Sequence, residues 1–84
     1  MNDATSTLLR WLLGNTAYST VLYDEAADTL DYHCGDAEAA TADMTATVRT
    51  YVDQIHAGPG AGPALDAVDW RAVAAYFVDD ESAC

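Results

Sequence analysis

The sequence predicts an α+β domain in the order α-β-β-α-α, with a β-hairpin packed on helices. Three observations carry that reading. Residues 17–23, Ala-Tyr-Ser-Thr-Val-Leu-Tyr, concentrate the aromatic and β-branched side chains that suit a pleated surface. Residues 29–34 alternate, with Leu30, Tyr32 and Cys34 on one face and Asp31 and His33 on the other. From residue 37 the apolar period lengthens to that of a helix. At 84 residues the chain has room for one domain, spanning 1–84. A domain of that size buries roughly 60–65% of its unfolded surface, so its stability is marginal. A hydrophobic fraction of 51% argues against disorder.

The first element is a short helix over residues 1–15. Asp3 or Thr5 is its candidate cap, and Ala4, Leu8, Trp11 and Leu12 recur on one face, widened by Leu9 and Leu13. Gly14 and Asn15 both tolerate the left-handed conformation and read as its stop. The hairpin follows over 17–34. Its loop is Asp24-Glu25-Ala26-Ala27-Asp28, the length of a five-residue hairpin connection.

Gly35-Asp36 ends the hairpin and opens a long helix over 37–57, with Asp36 or Thr41 as its cap. Ala40, Met44, Val48, Tyr51, Val52 and Ile55 form its apolar stripe, opposite Asp43, Thr47, Thr50 and Gln54. Gly58-Pro59 stops it, and residues 58–63, Gly-Pro-Gly-Ala-Gly-Pro, form a linker. That linker lacks the lysine and the spacing of a phosphate-binding loop. A last helix covers 64–78. Asp69 is its cap, Val68 and Val73 stand at hydrophobic-staple positions, and Trp70, Val73 and Phe77 share a face. Residues 79–84 read as a disordered acidic tail, whose carboxylates oppose the macrodipole of the helix before it.

A two-stranded hairpin leaves both sheet edges open, and residues 17–23 carry no charge to guard them. Pairing with a second copy across a two-fold axis would complete a four-stranded sheet, and packing of helix 37–57 against its mate is an alternative, so a homodimer is expected; a third option is that the hairpin edge accepts a strand from another protein.

Three Arg and no Lys stand against fourteen acidic residues, eleven Asp and three Glu, for a net charge of −11. Such self-repulsion is largely screened near 1 M salt, where the Debye length falls to ~3 Å. An Asp-rich, Lys-free composition therefore points to the cytoplasm of an extreme halophile. Arg10, Arg49 and Arg71 are scattered and form no basic stripe, which disfavours nucleic acid. No apolar run approaches a membrane span, and no basic n-region of a signal peptide opens the chain.

Cys34 and Cys84 belong to no C-x-x-C pair, and with His33 and His56 they match no zinc spacing. Adjacent residues on a strand face opposite ways, so His33 and Cys34 would not share a metal. A Cys34–Cys84 disulfide is disfavoured in a reducing cytoplasm. Cys34 reads as a small buried hydrophobe and Cys84 as part of a frayed end. The acidic residues near the hairpin loop lack the spacing of a calcium-binding loop.

The segment Pro63-Ala64-Leu65-Asp66-Ala67-Val68-Asp69-Trp70-Arg71-Ala72-Val73-Ala74-Ala75-Tyr76-Phe77 resembles part of the halobacterial output domain, in which Pro-Leu and an aliphatic-Asp pair precede a short Ala/Leu helix ending in Phe. The helix around Val48-Arg49-Thr50-Tyr51-Val52 fits the same pattern. The resemblance implies a small signalling or regulatory module with no assigned catalytic residue.

The expectation is a non-enzymatic regulatory or adaptor protein, acting by protein–protein contact in a high-salt cytoplasm and needing no cofactor or metal. Tyr18, Thr20, Leu22, Tyr32, Trp70 and Tyr76 are the candidate interaction surface. One alternative is a DNA-associated transcriptional regulator of a halophilic archaeon, with Arg49 and Arg71 as phosphate contacts. Another is a small-ligand-binding domain, whose site would be a cleft lined by Tyr32, Cys34 and His56.

Overall fold

Asn2 opens the first helix. Its side-chain oxygen accepts from the Thr5 backbone N–H at 2.8 Å and from the Thr5 hydroxyl at 2.7 Å. The cap is therefore Asn2 rather than Asp3 or Thr5. The computed structural model describes residues 2–56, 65 and 67–82. They form four helices: α1 (Asp3–Leu13), α2 (Thr16–Tyr32), α3 (Ala37–His56) and α4 (Trp70–Ser82). Among the described residues there is no strand. The expected linker (58–63) and Cys84 lie outside them.

The α+β expectation is thus corrected to an all-α fold. The expected hairpin is one continuous helix, α2, and the five residues read as its loop form a helical turn and more. Asn15 starts α2 by accepting from the N–H groups of Ala17 and Tyr18 at 3.0 and 3.3 Å. Leu22 and Ala26 are fully buried one turn apart, with Tyr18, Tyr23 and Leu30 packed against the same core. That is a period of 3.6, not 2. Thr16, Thr20, Val21 and Thr29 disfavour a helix by only a few tenths of a kcal/mol each, less than Leu22 gains by burial, about 1.5–3 kcal/mol. Among the described residues no sheet edge remains, so edge pairing gives no ground for a homodimer.

α1 ends without a left-handed residue. Gly14 has φ −74°, and its N–H bonds to the Arg10 carbonyl at 2.9 Å. Close approach, not backbone handedness, suits glycine here: a Cβ would lie 3.1 Å from that carbonyl oxygen. The left-handed turn occurs instead between α2 and α3. The Gly35 N–H bonds to the Leu30 carbonyl and the Cys34 N–H to the Asp31 carbonyl, which is a Schellman closure. Cys34 takes the left-handed position at φ 56°, followed by Gly35 at φ 85°. Cys34 is exposed, not the buried hydrophobe expected from an alternating strand.

Asp36 then caps α3, accepting from the Glu38 and Ala39 N–H groups. Ala40, Thr41, Met44, Val48 and Val52 are buried along α3, with Tyr51 and Ile55 packed beside them, as the apolar stripe predicts apart from the inward Thr41. The Thr41 hydroxyl is satisfied by donating to the Ala37 carbonyl. Asp69 caps α4 through the Ala72 N–H. α4 continues through Ser82, so residues 79–82 are helical rather than a tail.

α4 packs chiefly on α3 and α2, burying Val73, Ala74, Phe77 and Val78, while α1 lies against α2 and α4 with Leu8, Leu9 and Leu12 inward. Two hydrogen bonds tie the start of α1 to the start of α4. Asn2 Nδ2 donates to the Ala67 carbonyl at 2.8 Å, and the Asp69 N–H donates to the buried Thr5 hydroxyl at 2.9 Å. This arrangement leaves the outer flank of the α2–α3 hairpin open to solvent.

Candidate functional site

That outer flank is a groove of about 390 Å³ between the antiparallel helices α2 and α3. Val21 and Glu25 line it from α2, one turn apart, roughly a quarter turn round the helix from the buried Leu22 and Ala26. Ala46, Thr50, Tyr51 and Gln54 line it from α3, with Thr47 between them. Val21, Ala46 and Tyr51 are its apolar and aromatic lining residues, and Val21 is 38% exposed. Glu25 is the lining's ionisable carboxylate, and no Arg or His contributes to the lining.

An aromatic chain borders one end. The Tyr51 and Tyr18 rings meet edge-on at 6.3 Å, and Tyr18 in turn lies 5.3 Å from Trp11. The His56 ring meets Trp11 edge-on at 6.1 Å. Burial, with Tyr18 close by, pushes the Tyr51 hydroxyl above the usual tyrosine range. Toward the other end, at the turn, His33 Nε2 and Asp43 Oδ2 are 3.1 Å apart and join α2 to α3. The helices that form the groove are thus fastened near both ends, by packed rings and by a hydrogen-bonded pair.

A second recess, of about 410 Å³, lies between the C-terminal ends of α2 and α4 and is lined by Ala27, Leu30, Asp31, Gly35, Glu81 and Ser82. Near it, burial and hydrogen bonds to Asp80 and Tyr76 hold the Tyr23 hydroxyl well above its ordinary value. Among the described residues no group of three or more His, Cys, Asp or Glu is placed to hold a metal ion, and no helix is long and apolar enough to cross a membrane.

The structure scatters the residues expected to form an interaction surface. Leu22 is fully buried and belongs to the core, a consequence of the helical period of α2. Thr20 is exposed and Tyr32 is 79% exposed, both on α2, and Tyr76 is exposed on α4. Tyr18 and Trp70 are half-buried. Arg49 and Arg71 do come to the same end of α4: the Arg49 guanidinium lies 6.0 Å from the Trp70 ring, and Arg71 follows Trp70. The cleft lined by Tyr32, Cys34 and His56 does not form. Cys34 precedes the 20-residue α3 and His56 ends it, which sets them roughly 30 Å apart.

None of the lining residues Val21, Glu25, Ala46, Thr47, Thr50, Tyr51 and Gln54 is among the expected site residues. Val21 and Glu25 reach the groove only once 16–32 is helical, and a strand and a loop would have sent them elsewhere. Their spacing of four, facing Ala46-Thr47 and Thr50-Tyr51-Gln54, is the signal that marks one groove wall against another. Comparison with family models, with curated proteins and with solved structures returns no match.

Proposed function

We propose that this chain is a small non-enzymatic regulatory or adaptor protein that works by protein–protein contact in a salt-rich cytoplasm. The observation that carries the reading is the open groove between α2 and α3, where Val21 and Tyr51 offer apolar contact and Thr47, Thr50 and Gln54 offer hydrogen bonds. A surface of this mixture suits a contact that forms and releases, since it leaves no large apolar area in water.

The test is site-specific photo-crosslinking from position 21 in the native cytoplasm, with position 79 on α4 as the control. The reading expects one defined protein adduct from position 21 that is absent from position 79. The same adducts from both positions, or none from position 21, would overturn it.

A further inference from the structure

The occupant of the groove can be narrowed by charge, and this step rests on the adaptor reading above. We propose that the α2–α3 groove receives an amphipathic helix that presents an arginine or lysine to Glu25. The partner is a protein segment with a cationic flank, laid between Val21 on α2 and Tyr51 on α3.

Shape supports a helix. The α3 wall from Ala46 to Gln54 runs about two turns, roughly 12 Å, and two parallel-sided helices form the kind of trough that a third helix fills with side chains at i, i+3, i+4 and i+7. α4 already uses the core faces of α2 and α3 in this way. A helix on the outer flank would repeat that packing on a more polar lining.

Charge supports the cation. Any occupant that seals the groove takes Glu25 out of water. A carboxylate buried without a partner is costly, so the occupant must bring a positive group to it. This requirement survives high salt, because a pair excluded from solvent is screened much less than an exposed one. Asp28, one turn along α2 from Glu25, is exposed and adds to the same preference. So does the net charge of −11. A second copy of this chain joined groove to groove would press Glu25 against a lining that holds no cation, so the isologous dimer is disfavoured.

The experiment titrates the full-length isotopically labelled chain with two synthetic helical peptides and follows backbone amide shifts. Both peptides carry the same leucine stripe. One has arginine at the flanking positions and the other glutamine. The proposal expects the arginine peptide to shift the amides of Val21, Glu25, Ala46, Thr50 and Tyr51 and to bind roughly tenfold tighter than the glutamine peptide. In Glu25→Gln most of the arginine peptide's advantage should be lost, leaving only the part that the remaining acidic surface supplies, while the variant keeps its fold because position 25 is exposed. Equal affinities for the intact chain would overturn the cation requirement. Shifts confined to residues outside the groove would overturn the site. Groove shifts that follow protein concentration alone would assign the face to a second copy and overturn the proposal. The adaptor reading is judged separately: a crosslinked partner at position 21 whose contacting segment is neither helical nor basic would sink this inference and leave that reading standing.

Discussion

The Thr5 hydroxyl accepts from the Asp69 N–H at 2.9 Å and donates to Asn2 Oδ1 at 2.7 Å, so one buried side chain joins the caps of α1 and α4. Thr5 is fully buried, and both of its bonds sit at helix starts, where backbone N–H groups lack partners within their own helix.

Thr5→Val keeps the volume and removes the hydroxyl, which leaves the Asp69 N–H without its acceptor. A loss of about 1–3 kcal/mol is expected from urea unfolding followed by circular dichroism. Thr5→Ser should lose less, since it keeps the oxygen. Equal stability of Thr5→Val and the parent chain would show that this junction contributes nothing.

Cys34 occupies a left-handed position that costs a side-chain-bearing residue roughly 1–2 kcal/mol. Cys34→Gly relieves that strain while raising the entropy of the unfolded chain. We expect a net gain of about 0.5–1 kcal/mol, read as a higher urea midpoint. Cys34→Val, β-branched, should shift the midpoint the other way.

Tyr23 and Tyr51 both have hydroxyl groups shifted upward, chiefly by burial. In the unfolded chain they ionise near pH 10, whereas in the folded one they hold their protons to higher pH. Unfolding therefore releases protons above about pH 10, and stability falls as pH rises from there toward the folded values. Tyr23→Phe with Tyr51→Phe should flatten that decline in thermal melts between neutral and strongly basic pH. An unchanged slope would rule these two hydroxyls out as its source.

Leu22→Ala should cost about 2–5 kcal/mol, the range for emptying a buried leucine site, while Thr20→Ala on the exposed side of the same helix should change stability by under about 0.5 kcal/mol. Comparable effects at the two positions would contradict a helix with Leu22 inward.

With fourteen acidic residues against three Arg, the folded chain should be markedly more stable in molar KCl than in dilute buffer, with the thermal midpoint rising steeply up to about 1 M and levelling off as screening saturates. A midpoint independent of salt would remove the argument for a high-salt setting.

What the sequence made legible is the second half of the chain. Met44, Val48 and Val52 repeat at intervals of four over a long span, and Asp36 and Asp69 are cap residues standing where the helices begin. Over 16–32 two local patterns compete. Tyr18, Val21 and Tyr23 favour a strand, while Leu22, Ala26 and Leu30 mark the face of a helix. Local preference separates these options by little, and burial against α4 decides between them. The candidate site was hidden for the same reason. Thr47, Thr50 and Gln54 were visible as a polar helix face, but their facing wall exists only when Val21 and Glu25 are helical.

The short turn at Cys34–Gly35 also bears on the order in which contacts form. It joins α2 to α3 across about four residues, whereas the Thr5–Asp69 bond closes a loop of 64. By chain entropy alone the longer closure costs roughly 2.5 kcal/mol more. The α2–α3 hairpin, with the groove already on it, is therefore the early part of the folding route, and docking of α1 onto α4 is the late step. Thr5→Val should then leave the refolding rate nearly unchanged and speed unfolding, so a slowed refolding limb would place α1 in the nucleus.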